Sequence, residues 1–432
     1  MSTPNAAKKY VLNTTWILIE KLSRIVSGIL VGILVARYLG PEQFGMISYA
    51  LNVVAIFTMF SSLGMDSIIV RELITRKEKQ NTILGTSFWL RLIGAIAVVI
   101  AATYYSSIRD NAQNTYIVFL VSTSVIFQAF TVIDFYFQSA VLGKFSAVTQ
   151  VITLVTSSIV KIVLIYVGAR VEYFAAMVLL EAILTVANQL WFYSKNKKNI
   201  LLWKFSWDEV KELLGHSWPN IVSGLVMTVY QKMDQILVKR FLDLNILGNY
   251  AAAVRISEAS SFIPVAVCAA ILPGIVKNRE NKELQLKRLT QLYSLMLWTA
   301  LIFCVGGLLF GDLVINFLYK EKYYLAAGIF KIHIWNSIPV FYGTAWSMWM
   351  LAENKQRYII MVQFFSMGVA LILNLNLIPI YGAKGAAAAL ITTNFIGMLF
   401  TLTFYKPKTS WNLFLTAFNP KNLLEIIKYV KS

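Results

Sequence analysis

The sequence predicts an all-α integral membrane protein of twelve transmembrane helices arranged as two six-helix lobes. Three observations carry that reading. Of 432 residues, 58% are hydrophobic and 14% charged, and mean hydropathy is +0.64, more apolar surface than a water-soluble core of this length can hide. Apolar runs of about 20 residues, the length that crosses ~30 Å of hydrocarbon as a helix, recur along the whole chain. Lysine and arginine number 24 in the loops of one parity and eight in those of the other. The positive-inside rule then places both termini in the cytoplasm.

The spans are expected at 13–36, 45–65, 84–106, 115–137, 146–168 and 172–194, and again at 214–238, 249–273, 291–318, 329–351, 358–380 and 385–405. Lys8 and Lys9 precede the first, which carries Glu20, Lys21 and Arg24 and ends without a small-residue cleavage site, so it is read as a retained helix. The most basic loop separates the two sets. The expected organisation is a lobe over 1–194, a basic cytoplasmic linker over 195–213, a second lobe over 214–405 and a cytoplasmic tail over 406–432. In the tail, residues 411–418, Pro420 and an apolar/basic pattern over 423–431 read as an interfacial amphipathic helix.

Composition also excludes several chemistries. The formal charge of +18 sits in short loops beside apolar spans, where it sets topology and meets anionic headgroups, so no nucleic-acid partner is expected. Cys268 and Cys304 fall inside spans, and His216 and His333 cannot build a metal site alone. The chain has no P-loop, nucleophile elbow or HExxH motif. External loops are almost all ten residues or shorter, too short for an external catalytic domain. The reading is a conduit and not an enzyme, with no cofactor.

Charges within the spans are the next signal, since each costs about 2.5–3.5 kcal/mol at mid-helix. They are Glu20, Lys21, Arg24, Arg91, Asp134, Lys161, Glu181, Lys232, Asp234, Arg255, Glu258 and Lys331. Glu20 and Arg24 lie four apart on one helical face as a structural pair, with Ser27 extending the stripe, and Arg255 and Glu258 lie three apart. Arg91 and Asp134 are expected to snorkel to the cytoplasmic interface and Lys331 to the external one. Glu181 and Asp234 sit well inside their spans and are expected to be functional.

A short internal echo supports the two-lobe reading. Residues 34–50 aligned with 237–253 share Leu34/Leu237, Val35/Val238, Arg37/Arg240, Leu39/Leu242, Gly45/Gly248 and Ala50/Ala253. Both segments join the first and second helices of a six-helix set, as expected of parallel repeats. In the first copy, Gly40 is expected to stop the helix at positive φ, with Pro41 and Glu42 opening the next one.

The stretches "ARYLGPEQFGMISYA" (36–50), "SLGMDSIIVREL" (62–73) and "MDQILVKRFLDLNILGNYAAAVRISE" (233–258) carry a resemblance. The chain resembles the oligosaccharide flippase (O-antigen/polysaccharide transporter, Wzx-like) family of the MOP (MATE-like) superfamily. The resemblance implies a multi-pass inner-membrane protein that moves polyprenyl-diphosphate-linked oligosaccharide, O-antigen units above all, from the cytoplasmic to the periplasmic leaflet. It leaves room for contact with periplasmic-side polymerase machinery. The second copy lacks the Gly-Pro-Glu-Gln turn and reads Asp243, Leu244, Asn245, Ile246, so no shared role is carried to those positions. For such cargo, Arg24, Lys161, Lys232, Arg255 and Lys331 are candidates for the diphosphate, and Tyr230, Gln231, Trp335 and Asn336 for the sugar. With no nucleotide site, a proton or sodium gradient is a candidate drive, with Glu181, Asp234 and Glu258 as coupling carboxylates. The competing reading is a cation-coupled drug or metabolite exporter of the same superfamily.

Overall fold

The computed structural model describes residues 4–277 and 281–422. Those residues fold as helices joined by short turns, with no strand among them. In chain order they are α1 (Pro4–Ser62), α2 (Asp66–Thr75), α3 (Gln80–Arg109), α4 (Ala112–Phe127), α5 (Val132–Ser139), α6 (Gly143–Tyr166), α7 (Val171–Lys195) and α8 (Trp207–Phe241). They continue with α9 (Leu244–Glu258), α10 (Phe262–Lys277), α11 (Lys282–Tyr319), α12 (Ala326–His333), α13 (Ser337–Ala352), α14 (Gln356–Phe404) and α15 (Pro407–Ala417). Short 3-10 turns at Gln128–Thr131, Ala259–Ser261 and Ile334–Asn336 join α4 to α5, α9 to α10 and α12 to α13. The expected amphipathic pattern over 423–431 lies outside the described residues.

Among the described residues, eight helical stretches are long and apolar enough to cross a membrane. Two of them, Ser27–Thr75 and Gln356–Phe404, run to 49 residues, about twice the length a bilayer requires. Each has a non-helical glycine inside a long helix, and Ser27–Thr75 is broken again at the α1–α2 turn, where Leu63 and Gly64 have positive φ. Gly40 has φ 75 and ψ 172, and Gly382 has φ 62 and ψ −143, backbone regions that a Cβ essentially forbids. Gly40 therefore has the positive φ expected of it, but with extended ψ in place of a left-handed helical cap. Pro41, with no N–H to lose, begins the following turn.

The second copy of that turn is built differently. Asp243 has ordinary extended backbone (φ −137, ψ 176) and caps α9 through its side chain, accepting from the Ile246 N–H at 2.7 Å. A carboxylate cap replaces a glycine break, which is why four identical letters were unnecessary. Around both turns the packing is alike. The Tyr38 hydroxyl donates to the Ala169 carbonyl at 2.9 Å, beside Gly168 (φ 69) in the α6–α7 turn. In the second copy Leu242 packs beside Gly382.

A closer match lies in two other turns. After α5, the N–H groups of Val141 and Leu142 donate back to Gln138 and Phe137 at 3.1 and 2.7 Å; after α13, those of Asn354 and Lys355 donate to Leu351 and Met350 at 3.1 and 2.7 Å. Both are Schellman motifs with the positive-φ residue just past the helix. Val141 holds φ 56 and Asn354 φ 55. A β-branched residue is strained there and asparagine much less so. Val141→Gly is expected to raise the thermal midpoint of the purified protein in detergent, by an amount equivalent to about 1 kcal/mol.

The chain falls into two compact units, Met1–Lys232 and Met233–Ser432. The first contains a core of Met65, Ile69, Ile83, Leu84, Ile133, Phe137 and Leu213. The second contains a core of Tyr293, Met296, Phe341, Trp346, Trp349 and Leu402. Many large apolar side chains point outward instead, among them Ile93, Ile100, Leu309, Phe317 and Ile372, as helices bathed in lipid require. The molecule is an all-α, multi-pass membrane protein.

Candidate functional site

Polar side chains on apolar helices need partners, because lipid supplies none. In the second unit those partners form a buried chain. The Tyr250 hydroxyl, on α9, donates to Asp234 Oδ2 on α8 at 2.6 Å. The Tyr250 ring meets the His333 ring edge-on with centroids 6.3 Å apart. His333 Nδ1, at the end of α12, shares a 2.8 Å hydrogen bond with Ser257 Oγ on α9. Asp234 is 4% exposed and His333 1%. Nearby in sequence, the Asn394 side chain of α14 donates to Asn336 Oδ1 at 2.7 Å. The 3-10 turn over Ile334–Asn336 follows directly on His333, so the polar end of α12 and the Asn336 contact belong to one stretch.

In the first unit a second polar stripe runs across three helices. Glu20 and Arg24 pair on α1 at 3.4 Å, with Glu20 mostly covered and Arg24 exposed. Ser27, one turn on, shares a 2.9 Å hydrogen bond with Ser158 of α6. Lys161 of α6 then bonds Glu181 of α7 at 2.6 Å. The sequence had assigned Lys161 to an anion and Glu181 to a coupling ion; the fold makes them partners across one hairpin. Each explains how the other is tolerated in a span.

The remaining candidates are spread more widely. Tyr230, Lys232 and Arg255 are half-buried, and Gln231 is exposed. Trp335 is at the margin of exposure, while Asn336 is buried against Asn394. Lys331 pairs with Asp312 of α11 and does not reach outward alone. Glu258, the other carboxylate named for coupling, is exposed. Arg91 departs from its snorkelling expectation. It is buried, donates to Asp66 at 3.0 Å and lies over the Phe135 ring at 5.1 Å, because α2 folds back across the start of α3. Asp134 accepts from Gln138 one turn on, at 2.7 Å.

Sequence reasoning missed one cluster outright. Arg76, just after α2, reaches Glu72 at 2.8 Å, Glu209 at 2.5 Å and Glu212 at 2.8 Å, the last two on the first turns of α8. Arg71 adds a 2.7 Å bond to Glu72. Burial works against the Arg76 charge, but Glu209, Glu72 and Glu212 outweigh it and hold its pKa above the ordinary arginine value. More than 130 residues separate Arg76 from its α8 partners, so no helical spacing could have announced the contact. Among the described residues no group of three or more His, Cys, Asp or Glu side chains is placed to hold a metal ion.

The comparisons with known proteins agree with this architecture. A family model described as polysaccharide biosynthesis protein matches residues 34–327. The chain is 20% identical over 299 residues to the succinoglycan biosynthesis transport protein ExoT of Rhizobium meliloti (strain 1021), covering 67% of this chain and 59% of that relative's length. It is 19% identical over 404 residues to the capsular polysaccharide biosynthesis protein CapF of Staphylococcus aureus, covering 92% and 99% of the two chains. Among solved structures, the lipid II flippase MurJ in an inward closed conformation superposes with a TM-score of 0.76 at 16% identity, covering 94% of this chain and 90% of that one. An inward-facing multidrug resistance MATE family transporter of the MOP superfamily superposes with a TM-score of 0.70 at 16% identity, covering 90% and 94%. The fold is thus MATE-like, and the matched segment begins at Leu34, where the internal echo begins. With two-thirds of its length matched by that model, the chain belongs to the polysaccharide biosynthesis protein family.

Proposed function

We propose that this protein is a flippase for polyprenyl-diphosphate-linked oligosaccharide, with O-antigen units as the cargo. In this reading it crosses the inner membrane twelve times, with both termini in the cytoplasm. It moves the head group from the cytoplasmic to the periplasmic leaflet by alternating access while the polyprenyl tail stays in lipid. It performs no catalysis, and a periplasmic polymerase is the natural recipient of its product. The observation that carries the reading is the family match across residues 34–327 on a membrane fold shared with a lipid II flippase.

The geometry adds a chemical rationale. Arg24 is exposed beside its Glu20 partner, and Lys161 is held by a single carboxylate oxygen of Glu181. A diphosphate offers several charged oxygens and competes with one carboxylate for such cations. Tyr230, Gln231, Trp335 and Asn336 remain candidates for the sugar hydroxyls, with Lys232, Arg255 and Lys331 as further cations. Asp234, buried and bonded to Tyr250, is the coupling carboxylate favoured for a proton or sodium gradient; Glu181 and Glu258 are secondary.

Deletion of the gene is expected to leave the cell surface undecorated, with lipid-linked oligosaccharide trapped in the inner leaflet. A normal surface glycan in a strain without a substitute transporter overturns the reading. In vesicles reconstituted with Asp234→Asn, transport is expected to lose its pH dependence. Unchanged rate and unchanged pH dependence would remove Asp234 from the mechanism and leave the cargo assignment intact.

A further inference from the structure

The segment between α7 and α8 was read as a linker, yet it is clamped. The Lys204 N–H donates to the Asn81 carbonyl at 3.1 Å, and the Ser206 N–H donates to Thr86 Oγ1 at 3.1 Å. The Trp203 indole N–H donates to the Tyr193 hydroxyl at 3.1 Å. Gly85 permits the approach, since a Cβ there would lie 2.4 Å from the Lys204 carbonyl oxygen. Residues 199–206 therefore lie as a strap across the first turns of α3, where its sequence changes from polar (Gln80–Asn81–Thr82) to mostly apolar.

What the strap turns outward is unusual for a loop facing water. Leu201 is 84% exposed and Trp207 71%, with Leu202 and Phe205 also exposed. The Phe205 and Trp207 rings meet edge-on at 5.1 Å, forming an aromatic corner. Around these side chains Lys195, Lys197, Lys204 and Lys211 are exposed, as are Lys77 and Lys79 of the neighbouring turn. The local acids offset this only in part. Glu72, Glu209 and Glu212 are engaged by Arg76, which leaves Asp208 and Glu78 as the exposed carboxylates beside six exposed lysines.

We propose that this strap is an anchor for anionic phospholipid headgroups. Leu201, Leu202, Phe205 and Trp207 enter the interfacial layer, and the surrounding lysines bind the phosphates of one leaflet. Tryptophan at a membrane–water boundary supplies an apolar body with a polar edge, and each lysine near an anionic surface adds about fivefold in affinity. The occupant is a lipid surface and not a protein, because lysine is disfavoured at the buried centre of protein interfaces but suited to a phosphate plane. This assignment stands independently of the transported cargo.

The test places an environment-sensitive dye on the full chain at Leu202→Cys or Trp207→Cys, reconstituted in nanodiscs of phosphatidylcholine alone or with one-third phosphatidylglycerol. Two labelled positions guard against one variant failing to fold, which gel filtration reports. Blue-shifted emission and quenching by headgroup-nitroxide lipid are expected, both several-fold stronger with phosphatidylglycerol. Combined Lys195→Gln, Lys197→Gln, Lys204→Gln and Lys211→Gln is expected to abolish that response while retaining the basal shift. Water-like emission in both nanodiscs overturns the proposal, as does a phosphatidylglycerol response undiminished by the four substitutions.

Discussion

Arg76→Ala is expected to destabilise the purified protein by roughly 3 kcal/mol, the lower end of what removing one partner of a buried ion pair costs. The loss exceeds that of a surface pair because Glu209 is 2% exposed and Glu72 is also buried. Without the guanidinium, three carboxylates from α2 and α8 converge, with Arg71 still bonded to Glu72. Glu212 is more open to water and contributes less. The sign of the pH effect follows. Acid neutralises the carboxylates, and with them both their attraction to Arg76 and the repulsion left by its removal, so the variant's deficit is full at neutral pH and shrinks as pH falls. Thermal unfolding in detergent across pH measures both effects. Adding Glu209→Gln is expected to restore part of the loss, and a deficit indifferent to both pH and that second change would refute the electrostatic origin.

Gly85→Val is expected to cost roughly 2–4 kcal/mol, combining overpacking against backbone with the loss of two strap hydrogen bonds. The atoms a side chain would meet are the Lys204 carbonyl oxygen, nitrogen and carbon at 2.4, 2.7 and 3.0 Å. None can swing aside as a flexible side chain would, so the strap must lift and the Asn81 and Thr86 contacts part. Limited proteolysis offers the readout: cleavage after Lys197, Lys198 or Lys204 should become markedly faster in the variant. Gly215, with open space around its position, is the comparison site, where alanine is expected to leave strap cleavage unchanged.

Much of this architecture could be read from the chain because bilayer thickness translates directly into segment length. Gly40 with Pro41, and the pair Glu20 with Arg24, were legible for a related reason: both depend on neighbours within one or two helical turns. Contacts between helices were not. Lys161 with Glu181 depends on how α6 and α7 are rotated about their axes, and Arg91 with Asp66 on the fold-back of α2. Arg76 with Glu209 needs the whole first unit to form. The chain of Asp234, Tyr250, His333 and Ser257 was visible at Asp234, a charge well inside its span. Its connections required α8, α9 and α12 in place.

The twin turns at Val141 and Asn354 have a practical use. One backbone geometry, with matching hydrogen bonds of 3.1 and 2.7 Å, is spanned by a valine in one place and an asparagine in the other. The position is defined by its backbone, which valine adopts under strain and asparagine with much less. Such sites accept inserted reporters better than helix interiors do. A short epitope or fluorogenic tag placed at each turn in separate chains would therefore report, from one backbone geometry, the side of the bilayer on which each helix end lies, and so map how the polypeptide is threaded through it.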